Sequence, residues 1–348
     1  MLDQLKRLSE HSVSSLREVS ALRNQHWRGD CRSGGEGRLG EQGFFIISEK
    51  KLEKKYDRTT EFNDKEVFEK SWIFNRHTKR NFGFAYALQQ NYDIIINLDD
   101  DCFPKSDSYF DDHIKRLQML SHDHFNILNA FSNIPADVFF NGARGHPTNI
   151  AKKSPIVVNQ GLWEGDLDLP SITICDVLSS KDGKIPKPIC NESKVVRDFV
   201  VPKNQFTTVC GMNTSFLKEV IPAFPYTYQE PDDFGIARYD DIWSGLFIKK
   251  ILDKLDKRMS AGFPVVSHEK GLRDVSIDGR FEAKGDTMNS FLWNNLSDFI
   301  LEENDYTSCF LEIADWLENT SKTDISLKFF EKVAKSMHGW IKFLDSKF

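Results

Sequence analysis

The sequence predicts an α/β protein: a mixed sheet flanked by helices, followed by a C-terminal helical region. Three observations predict it. Short β-rich apolar runs alternate with helical stretches through most of the chain. One run, Tyr92-Asp93-Ile94-Ile95-Ile96-Asn97-Leu98, ends abruptly in Asp99-Asp100-Asp101-Cys102, as a buried strand does when it emerges at its C-terminal end. From Asp286 onward, apolar residues recur at spacings of three and four, the period of amphipathic helices.

The elements follow in order. Leu2–Leu22 has the pattern of a polar amphipathic helix, and Arg28–Gly43 is a Gly- and Arg-rich flexible segment. Ordered texture starts with a strand at Gly43–Ser48. A helix over Lys79–Gln90 leads into the acidic strand. A helix is expected at Asp111–Leu120, a strand at Phe125–Ala130 and a β-rich run at Ser154–Trp163. Residues 141–150 and 179–187 have loop composition. Phe206–Phe216 suggests a strand and turn, and Tyr239–Leu255 a helix with Asp240 or Asp241 as N-cap. A strand follows around Phe263–Val266. Three helices close the chain at Met288–Glu302, Ser308–Glu318 and Ile325–Leu344. In the last, Phe329, Val333, Met337, Trp340 and Phe343 form a stripe expected to pack on the main domain. The expected organisation is a flexible or helical leader over 1–42, an α/β domain over 43–280 and a helical region over 281–348.

Composition narrows the function classes. The 348 residues are 40% hydrophobic and 28% charged, enough for a sizeable core in a soluble protein. A net charge of −6 leaves no basic excess for nucleic acid. No apolar run is long enough to span a bilayer, and the N-terminus carries no signal-peptide hydrophobic region. The six cysteines (31, 102, 175, 190, 210, 309) include no C-x-x-C pair, which suggests reduced thiols and a cytoplasmic setting.

Chemistry concentrates at the acidic run. Three adjacent carboxylates repel one another, and a solvated Asp turn or a bound cation relieves the repulsion. Hard cations such as Mg2+ or Mn2+ prefer such oxygen ligands, which makes Asp99, Asp100 and Asp101 candidates for a metal and diphosphate site. His268 follows an apolar strand and is a candidate nitrogen ligand to the same ion. Arg80, opening the preceding helix, is placed to meet a phosphate. Asp240 and Asp241 open a later helix. A cap explains one of them, and the other is a candidate general base. Arg144 stands in the Gly- and Pro-bearing loop Arg144-Gly145-His146-Pro147.

The helix and acidic strand RNFGFAYALQQNYDIIINLDDD resemble those of GT-A fold glycosyltransferases. A narrower likeness is to the reversibly glycosylated polypeptide family, also called UDP-arabinopyranose mutases. It is carried by Asp99-Asp100-Asp101-Cys102, Arg144-Gly145-His146-Pro147, Gly161-Leu162-Trp163 with Asp166-Leu167-Asp168, Gly211-Met212-Asn213, and Asp240-Asp241-Ile242-Trp243-Ser244-Gly245. These cover about residues 44–275. The resemblance implies a GT-A-like domain, a nucleotide-diphosphate-sugar donor of the UDP-sugar type, and Mn2+ or Mg2+. It also matches Arg144 to the family's self-glycosylation loop, although His146 replaces the usual aromatic there. The family's opening strand with its Pro-Ser/Thr turn has no counterpart in residues 1–42.

The leading expectation is therefore a metal-dependent glycosyltransferase passing a sugar from a nucleotide-sugar donor to a carbohydrate or protein acceptor, as a homo- or hetero-oligomer or alone. A UDP-arabinopyranose-type mutase is the alternative. A catalytically degenerate binding protein is a further one, motivated by the missing opening strand. A haloacid-dehalogenase-like phosphatase also places Asp-x-Asp after a strand, but Phe103 stands where that motif has Thr or Val.

Overall fold

The computed structural model describes residues 44–47, 80–99, 102–121, 153–165, 168–171, 194–268 and 275–347. The expectations for residues 1–42, for the strand at Phe125–Ala130 and for the loops at 141–150 and 179–187 lie outside them. In chain order the elements are β1 (Phe44–Ile47), α1 (Arg80–Gln89), β2 (Ile94–Leu98), β3 (Cys102–Pro104), α2 (Tyr109–Leu117), β4 (Leu120–Ser121), β5 (Ser154–Gly165), β6 (Phe199–Val200), β7 (Asn213–Leu217), a 3-10 turn (Lys218–Ala223), α3 (Asp240–Lys254), β8 (Arg258–His268), α4 (Val275–Asn295), α5 (Tyr306–Thr323), a short 3-10 turn (Ile325–Leu327) and α6 (Phe330–Lys347).

The sheet runs β1-β2-β7-β5-β8-β3, with β4 added beside β5 and β6 beside β8. It is mixed: β1–β2 and β5–β8 are parallel, while β2–β7, β7–β5 and β8–β3 are antiparallel. The expected class, a mixed sheet flanked by helices with a helical C-terminal region, is the one observed. β2 is apolar without alternation because both its faces are covered. Ile95 packs with α1, α3 and the C-terminal helices, whereas Ile94 and Ile96 pack with Tyr109 and Leu117 of α2. The C-terminal stripe behaves as expected: Phe329, Val333, Met337, Trp340 and Phe343 are all buried. Trp243 of α3 receives it, with ring centroids 5.9 Å from Phe330 and 6.4 Å from Phe329. Among the described residues no helix is long and apolar enough to cross a membrane, and Cys102, Cys210 and Cys309 are free thiols.

Where boundaries differ, the reason is physical. α4 begins at Val275 instead of Met288 because its first three turns carry no apolar stripe to reveal them. They are held by charge: Asp278 and Glu282 face Arg238 at 3.6 and 2.7 Å. α2 stops at Leu117 because Leu120 leaves the helix to pair with Pro155 of β5. β8 extends well beyond the expected Phe263–Val266 because it is flanked along its length by β5 and at its ends by β3 and β6.

A buried polar network ties α2 to the sheet. The Asn213 carboxamide oxygen accepts from the Tyr109 hydroxyl at 2.8 Å and lies 3.0 Å from His113 Nε2, while its NH2 donates to the carbonyls of Leu162 (3.0 Å) and Pro264 (2.8 Å). Ser215 Oγ lies 2.7 Å from His113 Nδ1. Burial is the main cause that pulls the His113 pKa down to about 4, so the ring is neutral and can both donate and accept. The network costs no unpaired charge and fixes the Gly161–Trp163 stretch of β5.

α3 lies so close to the chain before β7 that a Cβ at Gly245 would sit 2.2 Å from Val209 N, a backbone atom. In an open helix Gly→Ala stabilises by about 1 kcal/mol. Here the sign reverses: Gly245→Ala is expected to destabilise by roughly 1–3 kcal/mol, since neither backbone can yield cheaply. Urea unfolding of the variant measures it.

Candidate functional site

The site forms where β2 ends. Its last residue, Leu98, pairs with Asn213 at the start of β7, and the Asp99 N–H donates to Met212 O at 3.3 Å. The Cys102 N–H then returns to Asp99 O at 3.2 Å. Asp100, Asp101 and Arg144 lie outside the described residues. β3 runs antiparallel to β8, with Cys102 opposite His268. β5 ends on the same residue, Gly165 facing His268. Gly165 takes φ +99°, and a Cβ there would meet His268 O at 2.8 Å. Strand register thus places His268 opposite Cys102, the residue that follows the acidic run in sequence. Carboxylate oxygens with one imidazole form a donor set suited to a hard divalent cation.

Arg80 is the first residue of α1, and its guanidinium pairs with the Asp99 carboxylate. It lies over the Tyr226 ring, 5.4 Å from the centroid. A Cβ on Gly211 would fall 2.1 Å from Arg80 Nη1 and 2.9 Å from the Tyr226 hydroxyl, so only glycine leaves room for the guanidinium here. Asn97 completes this wall by donating to Gly211 O (2.8 Å) and the Tyr226 hydroxyl (3.0 Å). Burial raises the Tyr226 pKa far above its usual value, which keeps the hydroxyl protonated.

Asp240 and Asp241 are not N-caps. Tyr239 occupies that position without a side-chain cap bond, and both acids fall in the first turn of α3. Asp241 Oδ2 instead accepts from the Gly211 N–H at 2.8 Å. Burial, with Asp240 beside it, raises the Asp241 pKa to about 7; the Gly211 N–H and Arg80 oppose the rise. Burial likewise pushes the neighbouring Cys210 thiol up, helped by Asp241 and Asp168, so it is not a thiolate nucleophile at neutral pH.

Just before α3, Arg238 sits at φ +75°, an unusual conformation for a side chain of its size. Glu282 accepts from its Nε at 2.7 Å and also accepts from the Ser171 N–H (2.6 Å) and hydroxyl (3.1 Å). Asp168 is 3.9 Å from Arg238. This hub links the chain after β5, the start of α3 and the start of α4 around the site. Sequence reasoning missed Tyr226, Asn97 and the Arg238 hub. The one available signal was the Gly211-Met212-Asn213 turn, which lies at the centre of the contacts.

The Asp241 carboxyl keeps its proton to about pH 7 when folded, whereas its usual value is 3.8. The folded state therefore binds more protons across that window, and stability falls as pH rises through it. Three units correspond to about 4 kcal/mol, which partial exposure reduces to roughly 2–3 kcal/mol. Asp241→Asn is expected to remove this loss, making the variant more stable than the parent at pH 8 but not at pH 4. Denaturant melts at the two pH values decide it.

The reversibly glycosylated polypeptide family model matches residues 55–347, a stretch that contains the acidic run, Asp240–Asp241 and His268. Similar proteins include probable UDP-arabinopyranose mutase 2 of Solanum tuberosum, 29% identical over 286 residues covering 76% of this chain and 70% of the relative. UDP-arabinopyranose mutase 2 of Arabidopsis thaliana is 27% identical over 281 residues, covering 76% and 71%. UDP-arabinopyranose mutase 1 of Oryza sativa subsp. japonica is 28% identical over 283 residues, covering 76% and 70%. These findings overturn the leading expectation of a metal-dependent glycosyltransferase. The acidic run misled because transferases and mutases of nucleotide sugars both need a diphosphate site, so such a run does not tell the fate of the sugar.

Proposed function

Since the chain belongs to the reversibly glycosylated polypeptide family, we propose that it is a nucleotide-sugar mutase that isomerises the sugar ring of UDP-arabinopyranose or a close UDP-pentose. The observation that carries this reading is the family match across residues 55–347, which spans every described part of the site.

The chemistry asks for one proton carrier. A mutase leaves the composition of its substrate unchanged. When a ring is re-formed through a different oxygen, a hydroxyl oxygen bonds to the anomeric carbon and loses a proton. The bond from that carbon to the former ring oxygen breaks, and that oxygen gains a proton. A carboxyl with a pKa near the working pH can accept the first proton and return the second. Asp241, with its pKa raised to about 7, fits this role, and Asp240 beside it keeps the pair from ionising together. The Gly211 N–H fixes the Asp241 carboxylate, so the acid is held in place while it changes state. No acceptor molecule is needed.

Asp99, Asp101 and His268 would hold a Mn2+ or Mg2+ ion; when bound, it would neutralise charge on the substrate diphosphate. Asp100, in the same acidic run, is the further candidate for the diphosphate.

The test is direct. UDP-arabinopyranose incubated with the protein and Mn2+ is expected to give a second UDP-sugar of equal mass on anion-exchange chromatography. Asp241→Asn should lower turnover by about 10²- to 10⁴-fold with a smaller change in KM. A folded parent protein that leaves UDP-arabinopyranose and other UDP-pentoses unchanged would overturn the reading.

A further inference from the structure

We infer that Arg80 is a positioning residue that ties the acidic run to Asp241, so that what engages one is felt at the other. The inference rests on the mutase reading of the site. It departs from the role that an arginine opening a helix suggests, direct contact with phosphate.

Geometry carries it. The Arg80 guanidinium is committed on one side to Asp99, beneath it to the Tyr226 ring, and on the other side to the space left by Gly211. The amide of that glycine is the donor to Asp241. One short path, Asp99–Arg80–Gly211–Asp241, therefore joins the end of β2 to the first turn of α3. Among the described residues, Arg80 is the cation that acts on the Asp241 carboxyl, against Asp240 on α3 and Asp168 after β5. Cys210 and Tyr226, also adjacent, are both held in their neutral forms. Arg80 is thus the counter-charge that keeps Asp241 able to ionise. A ligand that draws Asp99 away from Arg80 leaves the guanidinium more strongly directed at Asp241, favouring the carboxylate when the site fills.

Two roles separate experimentally. If Arg80 positions Asp241, Arg80→Met removes the cation, and the acidic limb of the kcat/KM profile for UDP-arabinopyranose moves upward by about one pH unit. Arg80→Lys should restore part of that shift. Gly211→Ala, which crowds the guanidinium while leaving it charged, should move the limb in the same direction. If Arg80 only contacts phosphate, Arg80→Met raises KM and leaves the limb where it was, which would overturn the inference. A second arm needs no turnover. The Asp241 proton is followed by 13C NMR of labelled aspartate in the substrate-free protein, assigned by its loss in Asp241→Asn. Its midpoint should rise in Arg80→Met. An unmoved midpoint contradicts the inference, and this arm stays informative even if UDP-arabinopyranose is not the substrate.

Discussion

The absence of a side chain at residue 211 is the constraint on which the site depends. Gly211 precedes β7, which is pinned between β2 and β5. Its carbonyl accepts from Asn97, its amide donates to Asp241, and the space where a Cβ would stand is filled by Arg80 and the Tyr226 hydroxyl. Three elements otherwise unrelated in sequence, the start of α1, the end of β2 and the start of α3, meet at this one position. Any larger residue would push the guanidinium off Asp99 and disturb the hydrogen bond that orients Asp241.

Charge follows the same logic. The site is rich in carboxylates, with Asp99, Asp168, Asp240 and Asp241 among the described residues, and the cations inserted among them are few and specific. Arg80 serves Asp99, and Arg238 serves Asp168, Asp278 and Glu282. Asp241 has the Gly211 amide as its hydrogen-bond donor and Arg80 as a partial counter-charge, and its burial beside Asp240 is what holds its proton. An enzyme that moves a proton between two oxygens of one sugar gains from such a group. A fully paired carboxylate would be too weak a base, and a fully buried one would not release its proton.

Much of this was legible in the sequence, and the limits are instructive. The run Ile94–Leu98 ending in acids announced a buried strand, because an apolar-to-charged step of that sharpness marks where a strand leaves the core. The paired acids at Asp240–Asp241 pointed to a helix start, but the N-cap is Tyr239, and the partner of Asp241 lies thirty positions earlier at Gly211. Sheet order was not legible, since β2 pairs with β7 across more than a hundred residues and nothing local encodes it. His113 and Asn213 resemble surface residues by type. Only the structure shows that they satisfy one another in the core. The first turns of α4 were missed because ion pairs, not an apolar stripe, hold them. The reaction type was misjudged for a different reason: transferase and mutase draw on the same diphosphate-binding chemistry.

The central claim is that the sugar is rearranged and not passed on. The most direct test follows UDP-arabinopyranose labelled with 13C at the anomeric carbon by NMR, with the protein and Mn2+ and no acceptor present. The account predicts a new anomeric resonance that grows to equilibrium while the carbon stays coupled to phosphorus and no free UDP appears. Release of UDP in step with the loss of substrate would mean that the sugar leaves the nucleotide, and would contradict it.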